Sequence, residues 1–317
     1  MRMDGVIGID KPAGVTSFDV VARMRRATGE KRIGHAGTLD PDAVGVLVLC
    51  LGSATRISSY LMEGRKRYSA EMTFGRSTNT GDSSGSTVED MPEMQILVDD
   101  FLKSLEGFQG RIIQRTPMYS AVKVGGRKLY ELARKGLEVD RPDRNVEIFS
   151  ICGAAHGGSG TISYGGTAQI DVECSQGTYI RTLCEDIGRA LGVPAHMSRL
   201  RRTRSSGWSI DDCLSLEEAE RLAVDGRILG SMRTIAESLP DMFASALDAS
   251  DASKVMNGSP VIVDCPEGTN EMVLLDDEGA ALAIASVGGV SDMNGRKIAK
   301  PRVVFKVPEV SAGHGGK

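Results

Sequence analysis

Gly34-His35-Ala36-Gly37-Thr38-Leu39-Asp40-Pro41-Asp42-Ala43-Val44-Gly45, followed by the apolar run Val46 to Leu51, is the stretch from which the rest of the chain is read. Three glycines, one proline and two aspartates in twelve residues exclude an ordinary helix or a central strand. The run that follows must be buried. A polar loop is therefore pinned to a buried element, the arrangement by which scaffolds present catalytic groups. His35 and Asp40 are its only side chains suited to acid–base or nucleophilic chemistry, since Asp42 lies beyond the turn-making proline. The same residue types also fit an Asp-Pro turn in a surface loop with a stray histidine.

At 317 residues the chain predicts about two domains, and 41% hydrophobic residues suffice for real cores. Only 4% are aromatic, so those cores must be aliphatic. The N-terminus, MRMDGVIGIDKPAG, has no apolar run of signal-peptide length, and no stretch approaches a membrane helix. Six cysteines without a CxxC pair argue against a zinc site or a disulfide framework. The expectation is a cytoplasmic protein with reduced thiols, no metal and no cofactor. The net charge of −4 is unevenly spread: residues 1–208 hold 28 Lys and Arg against 24 Asp and Glu, and residues 209–317 hold 10 against 18. Basic clusters stand at residues 23–32, at 65–67, at Arg127-Lys128 and at 199–204. Each alone fits a solvated face; together they suit a partner made of phosphates.

Taken in order, Val6 to Ile9 reads as a buried strand. A turn then leads into a helix capped by Ser17, with Val20, Val21 and Met24 inward, ended by Gly29. Tyr68 to Phe74 alternates as a half-buried strand, with Tyr68, Ala70, Met72 and Phe74 on one face. Ile96 to Leu105 reads as an amphipathic helix ended by Gly107. Residues 114–136, QRTPMYSAVKVGGRKLYELARKG, interleave Tyr119 and Tyr130 with cations, as a nucleic-acid surface does. They also fit a surface helix with Leu129, Leu132 and Ala133 inward. TAQIDVEC, residues 167–174, is another alternating strand, and a helix with Leu183, Ile187 and Leu191 on one face stops at Gly192 and Pro194. Ser215 opens a further helix with Ala219 and Leu222 inward. Beyond Leu239-Pro240-Asp241, short β-like runs (Pro260 to Val263, Met272 to Leu275, Ala280 to Ala285, Arg302 to Val307) describe a small β-barrel-like module.

Five motifs in order, GHAGTLDPDAVGVLVLCLGSATR (34–56) first among them, resemble the TruB-type tRNA pseudouridine synthases. The others are KPAGVTS (11–17), Lys66-Arg67-Tyr68 with the loop Thr78-Asn79-Thr80-Gly81-Asp82, the 114–136 segment, and GTYIRTL (177–183). LRRTRSSGW (200–208) fits a further family stretch. Asn79 stands where the family often has aspartate, and Thr116 replaces a proline. The resemblance implies Asp40 as the essential carboxylate, Arg181 as its ion-pair partner and Tyr68 beside the target base. It implies that Lys11, Tyr179 and Leu200 shape the base pocket, and that His35 fills the gap the flipped base leaves. A guanidinium beside a carboxylate favours its ionised form. On residue types alone, Lys11 also fits a solvated turn, Tyr68 a core position, Asp82 a turn and Arg181 a helix surface.

The implied fold is α+β: a mixed, largely antiparallel sheet with flanking helices, plus a small PUA-like module. The expected limits are 1–240 for the catalytic domain, with an RNA-contacting flap at 111–139, then 241–308 for the PUA-like domain and a disordered tail at 309–317. The implied activity is isomerisation of uridine 55 in the T loop of tRNA, by a monomer without guide RNA or membrane. The alternative class is an RNA-binding protein or tRNA-folding chaperone.

Overall fold

The computed structural model describes residues 3–156, 160–290 and 296–305. A ten-stranded sheet dominates. Its main path runs Leu214–Ser215, Gly5–Lys11, Val44–Leu51, Ala195–Ser205, Lys66–Phe74, Thr167–Cys174, Asp143–Ala155, Gly110–Arg115. Ile33–His35 and Trp208–Ser209 pair alongside this path. Most pairs are antiparallel. Two are parallel, and one of these joins Ala195–Ser205 to Val44–Leu51 through two registered pairs, Arg201↔Val44 and Arg202↔Gly45. The sheet is thus two halves meeting at a narrow seam. Val44–Leu51 is buried almost throughout, as an apolar strand covered on both faces must be.

Helix Ser17–Thr28 lies against helix Leu216–Val224, tied by Arg23 Nε to Glu220 Oε1 at 2.7 Å. Helices Val98–Glu106 and Ile180–Ala190 cover the other half with Phe101, Leu105, Leu183 and Ile187. Gly29 ends the first helix at φ +72°, as its sequence predicts. The cap at its start is Thr16 rather than Ser17. Thr16 Oγ1 accepts from the Asp19 amide, and the Asp19 carboxylate accepts from the Thr16 amide. The third helix begins at Val98 rather than Ile96, because Gln95–Leu97 pairs as a strand with Thr161–Ser163.

After residue 240 a five-stranded sheet runs Phe243–Ala246, Glu271–Leu275, Ala281–Val290, Lys297–Val304, Val261–Val263. Helix Ala249–Met256 packs on it. The last strand starts five residues earlier than its apolar run suggests. Pro301 is carried inside it at a register shift, where the missing amide costs little. Val273 and Ile284 of this sheet, with Phe305 just after it, share a core with Val6 and Val48 of the large one and with Ile57 and Leu61 of the helical turns that follow Val44–Leu51. The expected disordered tail lies outside the described residues. All six cysteines are unpaired. Among the described residues no helix is long and apolar enough to cross a membrane.

Candidate active site

The Asp40 loop leaves the large sheet at His35 and returns at Val44. Gly37 and Gly45 hold φ at +110° and +102°, values that side-chain-bearing residues rarely adopt. Four successive carbonyls between them, Thr38 to Pro41, are tied, as are the Leu39 and Ala43 amides. Ser17 Oγ donates to the Leu39 carbonyl and accepts from the Leu39 amide. Released from capping, Ser17 is a latch on the loop. The Asp40 carbonyl accepts from the Ala43 amide, and the Pro41 carbonyl from the Gly14 amide. Lys11, fully buried, donates from Nζ to the carbonyls of Pro12, Val15 and Pro41 at 2.8–2.9 Å. An ammonium has three protons, and these three acceptors use them all. Lys11 thus holds the loop from beneath. Burial pushes its pKa down to about 8, against the pull of Asp42 and Asp40.

The Asp40 side chain, 42% exposed, turns from this rigid backbone toward a cavity of about 470 Å³. Arg181 Nε lies 3.1 Å from Asp40 Oδ2. Arg181 is itself buried in the first turn of its helix. Its Nη1 donates to the Thr80 carbonyl and its Nη2 to the Tyr119 carbonyl, both at 2.8 Å. Asp82 Oδ2 is 3.8 Å from Nη1. Asp82 is otherwise occupied by the Thr80 and Ser84 hydroxyls, at 2.7 and 2.6 Å. One guanidinium therefore gathers the Asp40 loop, the 77–85 loop and the start of the 116–142 excursion.

Asp40, Asp82, Tyr119, Arg181 and Leu200 line the cavity. Tyr68, His35 and Tyr179 stand outside that lining. Tyr68 is buried behind the loop against the Arg202 guanidinium, and burial pushes its hydroxyl pKa up. Tyr179 is half-buried at its helix start, where the Gln114 amide bridges its main-chain amide and carbonyl. His35 is half-buried with Nδ1 unpartnered, and burial followed by Arg202 pushes its pKa down. Both effects favour the neutral imidazole. Sequence reasoning placed Arg202 only in a basic cluster, yet its side chain is 1% exposed and bound to the loop. Its signal is weak: one arginine in an alternating strand where an apolar residue is due.

Among the described residues no three His, Cys, Asp or Glu side chains are grouped to hold a metal. No cysteine lines the cavity, and burial pushes the Cys50 thiol up to about 12 and Cys174 to about 11, away from the thiolate form. What remains is a cavity with three aspartates in its lining, Asp40, Asp42 and Asp82, of which Asp40 stands nearest the Arg181 guanidinium; Asp42, expected to turn away from the site, is exposed and shares the lining. That is machinery for nucleophilic or electrostatic work at an electrophilic carbon.

Fold and site together define a pseudouridylate synthase. Residues 25–180 match the model of the TruB family pseudouridylate synthase N-terminal domain, and residues 181–232 that of the tRNA pseudouridylate synthase B C-terminal domain. The tRNA pseudouridine synthase B of Listeria monocytogenes serotype 4b is 42% identical over 81% of this chain and 84% of that protein. The protein of the same name from Streptococcus pneumoniae serotype 4 is 40% identical over 96% of this chain and all of that one. In three dimensions the chain is similar to one in the crystal structure of a Cbf5-Nop10-Gar1 complex, with TM-score 0.70 and 26% identity over 95% of this chain and 85% of that one. The chain belongs to the TruB family of pseudouridylate synthases.

Proposed function

We propose that the protein isomerises uridine 55 in the T loop of tRNA to pseudouridine, with Asp40 acting at the ribose anomeric carbon. The observation that carries this is the Asp40–Arg181 pair on a loop tied down by Lys11 and Ser17. The names of the relatives support tRNA as the substrate. The reaction breaks the N1–C1′ bond, turns the uracil and forms C5–C1′. The C5 proton is lost to solvent and N1 is reprotonated, so atoms balance without redox. Asp40 meets the positive charge that develops at C1′, as nucleophile or as counter-ion. Arg181 holds it on line.

The target base leaves its stack to reach this carboxylate. In this reading Leu200 packs against it, Tyr68 and Tyr179 present ring surfaces once RNA is seated, and neutral His35 fills the space it vacates. Residues 111–139 close on the RNA, and the basic clusters of the catalytic domain (1–240) take its phosphates. The acidic 241–308 module adds little affinity. The protein acts in the cytoplasm as a monomer without guide RNA.

The test is tritium release from an unmodified tRNA transcript labelled at uridine C5, with wild type and Asp40→Asn in parallel. Release by wild type alone, abolished when position 55 is replaced, is the expected result. Tight tRNA binding with no release by wild type would overturn the reading and leave an RNA chaperone.

A further inference from the structure

Arg202 is the largest fully buried side chain in the described structure. It has no carboxylate partner among the described residues. The charged or titratable groups that sense it are Lys11, Lys66, His35, Tyr68 and Cys213, none of them a carboxylate. A guanidinium kept among cations in a core is costly, and mere packing is better served by an apolar side chain. Its five N–H groups have a specific use. Nη2 donates to the Gly37 carbonyl at 3.0 Å and Nη1 to the Thr38 carbonyl at 3.2 Å, where the catalytic loop departs. Nε donates to the Val46 carbonyl at 2.8 Å, where the loop has returned. Its own backbone presses on Gly45, where a Cβ would lie 2.2 Å from the Arg202 carbonyl oxygen. The planar fork thus bridges both feet of the loop, and it does so from the strand that carries Leu200 into the cavity.

We propose that Arg202 is a positioning residue that sets the Asp40 carboxylate against the wall of the base pocket by clamping the feet of its loop to the Ala195–Ser205 strand. This rests on the assignment of Asp40 as the catalytic carboxylate. Arg202 touches neither substrate nor reacting atoms. Its effect is on the alignment of Asp40, so its loss lowers the chemical rate and spares tRNA binding. A lysine keeps the charge but, as a point donor, cannot span Gly37, Thr38 and Val46 together.

The experiment compares wild type, Asp40→Asn, Arg202→Lys and Arg202→Gln by single-turnover tritium release, tRNA Kd and thermal melting. The expected result is a fall of about 100-fold in the single-turnover rate of both Arg202 variants, with Kd within about 3-fold of wild type and a cooperative melt retained. Wild-type rates in Arg202→Lys overturn the proposal. So does a collapsed melt in both variants, or parallel loss of rate and affinity, because Arg202 is then a scaffold residue. A silent wild type sinks the proposed function instead; an active wild type with an equally active Arg202→Lys sinks only the positioning role.

Discussion

Two buried lysines flank the site, and their protons report on folding. Lys66, 7% exposed, donates from Nζ to the carbonyls of Met62 and Gly64 at 2.7 and 3.0 Å. Burial, then Arg202, pushes its pKa down to about 8 from 10.5. Between those pH values the unfolded chain keeps a proton that the folded chain has released. Stability from this group therefore rises with pH above about 8 and is flat below it. The buried thiols act in the opposite sense above pH 9, since the unfolded chain loses protons that Cys50 and Cys174 keep. The lysine effect is read as a difference: between pH 8 and 9, wild type should gain up to about 1 kcal/mol over Lys66→Met. Urea unfolding at closely spaced pH values measures it, and parallel profiles would mean that Lys66 is solvated.

At the scale of the element, the tight approach of the loop's return to the Ala195–Ser205 strand is decided by Gly45. Its positive φ and its contact with the Arg202 backbone leave no room for a methyl group. Gly45→Ala should cost about 3 kcal/mol or more, by forcing apart the two-pair seam. Gly29→Ala, at φ +72° with open space around it, should cost only about 1 kcal/mol. Comparable losses in the two unfolding curves would remove the steric argument. The contrast also marks what can be read from one dimension. Strands such as Thr167–Cys174 were legible because alternation is local, and so was the pairing of an aspartate loop with Arg181 once the motifs were placed. The exchange of roles between Thr16 and Ser17 was not legible, because either hydroxyl can cap and only the Leu39 backbone decides. The strand at Gln95–Leu97 and the strand at Phe243–Ala246 were missed for a related reason: each is defined by a partner far along the chain. Arg202 was hidden by its own cluster, since Arg201 beside it pairs with Asp10 near the surface while Arg202 points inward.

Over the whole molecule, the two sheets are joined by an apolar core. Phe305, 2% exposed, shares a cluster with Val6 and Val48 of the large sheet and with Ile57 and Leu61 of the helical turns packed beside it. Burial across such a boundary couples the two parts, so calorimetry should show one transition. Phe305→Ala should lower its midpoint, at a cost of about 3 kcal/mol. Two transitions with only one displaced would mean that the parts melt separately. The acidic balance of residues 209–317 is no obstacle to an RNA substrate, because local clusters of cations and not the overall charge neutralise phosphates.

The seam has a consequence for the order in which the chain is made. Ala195–Ser205 lies between Val44–Leu51 and Lys66–Phe74, strands that leave the ribosome long before it does. Until then each has an open hydrogen-bonding edge, and the two halves of the sheet have nothing to join them. Its arrival closes the gap, bringing both Leu200 and Arg202 with it. A nascent chain that stops short of this strand lacks both the Arg202 clamp on the Asp40 loop and the Leu200 side of its cavity, so the enzyme gains its chemistry in the same step that bridges the two halves of its sheet.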